Sequence, residues 1–121
     1  MGDVVQLIKN KKDRSIESIL READLVGRTE AEKTNPQMVQ LKGRKGEPFP
    51  ICGFADVRVM GVRGNKLAKL KEFGFTKYSE GYGFHVGDYN QSYDLKKAYA
   101  DAFTNVLREN GFNAWSESRL D

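Results

Sequence analysis

Sulfur and imidazole are nearly absent from this sequence: one cysteine, Cys52, and one histidine, His85, occur in 121 residues. A single cysteine excludes an internal disulfide. The pair also falls short of the roughly four Cys or His ligands of a structural zinc site, so no metal or other cofactor is expected. A Cys–His nucleophilic couple would need Cys52 and His85 brought together by the fold, and neither stands in a recognisable catalytic context. Long hydrophobic runs are missing too, and none approaches the ~20 apolar residues of a membrane span. The opening Met-Gly-Asp-Val-Val-Gln lacks the basic region and apolar core of a signal peptide, and Gln6 stands where myristoylation favours Ser or Thr. A cytoplasmic protein is therefore expected. No phosphate-binding loop ending in Lys-Ser/Thr is present, since Gly61-Val-Arg-Gly64 is too short for one. Asp88 and Asp94 flank a loop as surface acids do, without the spacing of an acid–base pair. Together these absences point away from an enzyme.

What is present suits a small domain with a well-solvated surface: 39% hydrophobic and 31% charged residues. The length leaves no room for two independent cores. The net charge of +3 is unevenly spread. Between Lys42 and Lys77 stand nine basic residues (Lys42, Arg44, Lys45, Arg58, Arg63, Lys66, Lys69, Lys71, Lys77) against Glu47, Asp56 and Glu72, so that segment carries +6 and the remainder −3. Such asymmetry suits an anionic partner; an ordinary solvated face would look the same.

Residues 1–36 read as an arm, a helix and a linker, and residues 37–121 as an α+β domain. In the first part, Asp13 can cap a helix whose Ile16, Ile19, Leu20 and Ala23 share one face, and Gly27 can stop it. Met38–Leu41 is a possible extra strand before the Gly- and Pro-rich loop at 42–50. From Ile51 to Val62 a strand is predicted, with Ala55, Val57 and Val59 on one face and Asp56 and Arg58 on the other. A helix capped by Asn65 follows, carrying Leu67, Leu70 and Phe73. Strands are predicted at Phe75–Ser79 and Tyr82–Val86. The longest helix begins near Tyr93 behind a cap at Ser92 or Asp94 and runs to Asn110. Its apolar stripe is Leu95, Ala98, Tyr99, Ala102, Phe103, Val106 and Leu107. Phe112–Ser116 closes the chain as a last strand.

The most specific signal is an internal repeat. Leu70-Lys-Glu-Phe-Gly-Phe-Thr-Lys-Tyr-Ser-Glu80 aligns without gaps on Leu107-Arg-Glu-Asn-Gly-Phe-Asn-Ala-Trp-Ser-Glu117. In each copy Gly ends a helix with positive φ, and the next Phe folds beneath it. The repeated βαβ units, residues 51–80 and 82–117, resemble the ferredoxin-like βαββαβ arrangement. That resemblance implies a four-stranded antiparallel sheet with two helices on one face, the N-terminal helix and the extra strand being additions. Such a fold hosts many functions and names none.

Gly81-Tyr-Gly-Phe84 resembles the Gly-aromatic-Gly-aromatic heart of the RNA-recognition motif, and that resemblance implies base stacking by Tyr82 and Phe84. Strand parity argues otherwise: Tyr82, Phe84 and Val86 share one face and have the bulk a core needs. The opposite face then collects Arg58, Tyr78, His85 and Trp115, a composition that interfaces enrich. The N-terminal helix at 14–26 is expected to lie across that face and bury Tyr78 and Trp115. The function expected first is a non-enzymatic nucleic-acid-binding module, DNA or RNA. Its phosphate contacts would come from Lys42, Arg44, Lys45, Arg58, Arg63 and Lys66, with Lys9, Lys11 and Lys12 as auxiliaries. The alternative is a small protein-binding regulator or inhibitor, of the kind phages and mobile elements encode, docking through a sheet edge or through the face of Tyr78, His85 and Trp115.

Overall fold

The first helix starts at Ser15, whose hydroxyl accepts the Ser18 N–H at 3.2 Å in the computed structural model, which describes residues 14–39, 48–89 and 92–120. The expected cap, Asp13, lies outside the described residues. This helix, α1 (Ile16–Lys33), runs through Gly27 rather than stopping there, so the stretch expected as a linker is helical as far as Lys33. Gly27 is needed for a different reason. A Cβ at this position would sit 2.7 Å from the Tyr99 ring, so the missing side chain lets two helices approach closely.

A two-stranded antiparallel ladder follows, β1 (Met38–Val39) against β2 (Phe49–Pro50), with Met38 opposite Pro50 and Val39 opposite Phe49. Leu41 and the loop residues 42–45 lie outside the described residues. Next come β3 (Gly53–Met60), α2 (Gly64–Phe73), β4 (Thr76–Lys77), β5 (Tyr82–His85), α3 (Tyr93–Glu109) and β6 (Asn113–Leu120). Arg63 rather than Asn65 takes the N-cap position of α2, with no side-chain cap, whereas Ser92 caps α3 by accepting the Leu95 N–H.

The four longer-range strands form one antiparallel sheet in the order β4-β5-β3-β6. Alternation along β3 sends Ala55, Val57 and Val59 into the core. There they join Leu70, Phe75, Phe103 and Leu107 in one hydrophobic cluster. Phe73 of α2 and Phe103 of α3 both meet the ring of Phe84, at centroid distances of 5.7 and 5.2 Å, so α2 and α3 cover the same side of the sheet. The repeat appears in the hydrogen bonds as well. Phe75 N–H reaches Leu70 O and Phe112 N–H reaches Leu107 O, each at 3.0 Å, around Gly74 and Gly111 at φ of 134° and 89°. Both helix ends are thus closed by the same glycine-dependent pair of bonds.

The position of α1 overturns one expectation. It packs against α3 and touches α2, on the helix side of the sheet, and adds Ile19, Leu20, Ala23 and Ala31 to the shared core. Asp24 accepts the Tyr99 hydroxyl, and Arg28 spans to Asp88 at 3.1 Å. The opposite sheet face is therefore not covered by this helix. None of the described helices is long and apolar enough to cross a membrane.

Candidate functional site

The face left open by the described helices is built by parity and register. On β3 it receives Phe54, Asp56, Arg58 and Met60. Asp56 stands opposite His85 on one side and Glu117 on the other, and Arg58 lies between Gly83 and Trp115. Gly83 matters here because it has no side chain: a Cβ would lie 2.4 Å from Val57 O and 2.8 Å from Arg58 Cδ. The vacant position lets the Arg58 side chain lie flat across the sheet toward β4.

Arg58 is the hub of the face. Its guanidinium carbon stands 4.2 Å from the Tyr78 ring centroid and 5.4 Å from that of Trp115. Nη1 donates to Glu117 Oε2 at 2.9 Å and Nη2 to the Glu80 carbonyl at 2.6 Å. Trp115 Nε1 donates to the same Glu117 oxygen at 2.8 Å. The Glu80 carbonyl is presented by a tight turn in which Tyr78 N–H reaches Gly81 O and Gly81 takes φ of +68°. With 7% exposure the arginine is spent on this arrangement. His85 is the most open member, its Nδ1 at 2.5 Å from Asp56 Oδ1 and its ring 5.9 Å from Tyr78. Burial, and next the Asp56 carboxylate, raise the Tyr78 hydroxyl above its usual pKa.

Apolar surface frames this network. Phe54 is 41% exposed and Met60 38% exposed. Phe54 lies between the charged ends of Lys96 and Arg119, at 5.5 and 5.2 Å. A shallow cleft of about 140 Å³ opens beside it, lined by Asp56, His85, Glu117, Ser118 and Arg119.

No protein-family model, curated protein or solved structure matches this chain. What the face can do follows from its own chemistry. Arg58 is committed to Glu117 and the Glu80 carbonyl, and Lys96 and Arg119 lie against the Phe54 ring, whereas a phosphate backbone calls for uncompensated cations. Aromatic rings, an arginine and exposed Phe and Met are the residues that protein interfaces enrich.

The residues singled out in the sequence are distributed unevenly. Tyr78, His85, Trp115 and Arg58 come together on one face, with Arg58 inside it and not free to meet a phosphate. Arg63 and Lys66 lie elsewhere, exposed around a cleft of about 290 Å³ between the start of α2 and the turn at Asn110–Asn113. Lys42, Arg44 and Lys45 lie outside the described residues, as do Lys9, Lys11 and Lys12. Tyr82 and Phe84, the aromatics of the RNA-recognition-motif resemblance, pack on the core side. Phe54, Glu117 and Arg119 were not singled out by sequence reasoning. For Glu117 the signal was its spacing of two from Trp115, concealed by ending the last strand at Ser116.

Proposed function

We propose that the chain is a non-enzymatic binding module that docks a protein partner on the sheet face that the described helices leave open. The observation that carries this reading is the charge-neutral network of Tyr78, Arg58, Trp115 and Glu117 flanked by exposed Phe54 and Met60. The partner it suits presents a mainly apolar surface with few polar groups. Phe54, Met60 and the Trp115 ring bury its apolar side chains, while the cleft between Asp56 and Glu117 accepts one basic side chain. The strand order β4-β5-β3-β6, with α2 and α3 on one side, supports a ferredoxin-like arrangement, in which one sheet face is left for binding.

The test is capture from the native host followed by reconstitution from purified components. A stoichiometric protein that persists at about 0.5 M salt, where exposed charges are screened, is the expected result. Trp115→Ala and Phe54→Ser should each weaken the reconstituted complex at least about tenfold. A complex indifferent to both substitutions overturns the reading.

A second reading, nucleic-acid binding, is favoured by Arg63 and Lys66, which stand exposed at the start of a helix with no acidic residue in its first turn. It predicts oligonucleotide binding that falls steeply with salt and is lost in Arg63→Glu/Lys66→Glu. Absence of binding at low salt overturns it.

A further inference from the structure

β6 is an edge along its full length: β3 pairs with one side, and among the described residues no strand lies on the other. The groups at that edge follow from the ladder geometry. Val86 N–H donates to Ala55 O at 2.9 Å, and in an antiparallel ladder the N–H and C=O of one residue point to the same neighbour, alternating along the strand. Ala55, Val57 and Val59 thus bond toward β5, and Phe54, Asp56 and Arg58 toward β6. Their partners Arg119, Glu117 and Trp115 are turned inward. Ala114, Ser116, Ser118 and Leu120 direct their main-chain groups outward. Arg108 Nε closes the Ala114 carbonyl at 2.6 Å. The outward groups of Ser116, Ser118 and Leu120 have no main-chain partner among the described residues. The strand carries no proline, no lysine and no break in register, and its two charges, Glu117 and Arg119, are of opposite sign.

We propose that a second copy of this chain pairs here, β6 antiparallel to β6 about a two-fold axis, joining the two sheets into one. Outward-directed residues must face one another, which restricts the register. With the axis at Ser118, Ser116 stands opposite Leu120 of the second copy and Glu117 opposite Arg119, twice over. An axis at Glu117 sets two like charges face to face. An axis at Ser116 pairs Glu117 with Trp115 and requires the Ala114 carbonyl that Arg108 already holds. Only the Ser118 register makes two ion pairs from one strand, because an acid and a base stand two residues apart on one face of it. Its three outward pairs exchange about six main-chain hydrogen bonds, and Leu120, 61% exposed in the single chain, gains cover. The ion pairs share Glu117 and Arg119 with the cleft of the sheet face, so Ser118→Pro, which acts on the main chain of the edge and leaves both side chains in place, is the change that separates the two readings.

Sedimentation equilibrium and native mass spectrometry on the full chain test it. The wild type should show a reversible monomer–dimer equilibrium. Ser118→Pro should abolish the dimer while leaving the circular dichroism and thermal midpoint near wild type, because the N–H it removes points outward. Glu117→Arg and Arg119→Glu should each weaken self-association, and their equimolar mixture should recover it as a heterodimer. A monomeric wild type throughout, or a dimer that survives Ser118→Pro in a folded protein, overturns the proposal. A folded mixture that fails to recover overturns the register. Should Glu117→Arg unfold for want of the Arg58 ion pair, the Ser118→Pro comparison decides alone. Partner binding retained in Ser118→Pro would show that the face acts independently of the edge.

Discussion

Arg58 shows how one side chain can change meaning between sequence and structure. In the sequence it belongs to a basic segment; in the fold it is held by two rings, a carboxylate and a carbonyl. Removing it strips a stacked cation from Tyr78 and Trp115 and leaves Glu117 without its ion pair. Arg58→Ala should therefore cost about 2–3 kcal/mol in urea unfolding, in the range of a broken partly buried network. Arg58→Lys should recover less than half of that, because an ammonium lacks the planar fork that reaches Glu117 and the Glu80 carbonyl together. The single tryptophan supplies a direct readout, since Trp115 emission should shift in both variants. The identity of these residues was legible: parity alone groups Arg58, Tyr78, His85 and Trp115. The use of the arginine was not, because its hydrogen-bond partners lie 59 and 22 residues away in the chain.

At the scale of elements, the two helices with strong punctuation were easiest to read. Gly74 and Gly111 end α2 and α3 because positive φ and a following Phe are demanded locally. Gly27 carries the same residue type with a different cause. Inside α1 it admits the Tyr99 ring of α3, and nothing within a few residues of Gly27 signals that contact. This yields a prediction with opposing signs. Gly27→Ala should raise the helicity of an isolated peptide spanning α1, where alanine is favoured by about 1 kcal/mol. In the whole protein the same change should lower stability by about 1–3 kcal/mol, because the new methyl must displace Tyr99 or separate the helices. Peptide circular dichroism and protein denaturation, compared side by side, check both signs. The length of β6 was missed for a related reason. Beyond Ser116 its sequence is polar, and pairing with β3 up to Leu120 opposite Gly53 is what holds it extended.

For the molecule as a whole, the contact between α1 and α3 makes stability depend on alkaline pH. Tyr99 is buried, and its hydroxyl is held by Asp24; burial first, then that bond and the carboxylate charge, push its pKa well up. In the unfolded chain a tyrosine titrates near about 10. The neutral phenol thus contributes stability that is fully present below that pH and is lost as pH rises toward the folded value. Tyr78 and Tyr89, also raised chiefly by burial, add in the same direction. Thermal midpoints should be flat with respect to these groups at neutral pH and fall above about pH 10. In Tyr99→Phe that fall should be shallower, at the cost of a lower plateau from the lost hydrogen bond. A slope unchanged by the substitution would exclude Tyr99 as the source.

By itself the sequence determined the α+β class, the repeated helix endings and the side of each strand of the four-stranded sheet that enters the core. Each of these depends on residues two to five positions apart, where periodicity and backbone sterics act directly. The tertiary structure decided which side of the sheet α1 covers, how Arg58 is spent, and how far β6 extends. All three depend on cross-strand and helix–helix neighbours brought together from distant parts of the chain, and one-dimensional spacing contains no record of that register.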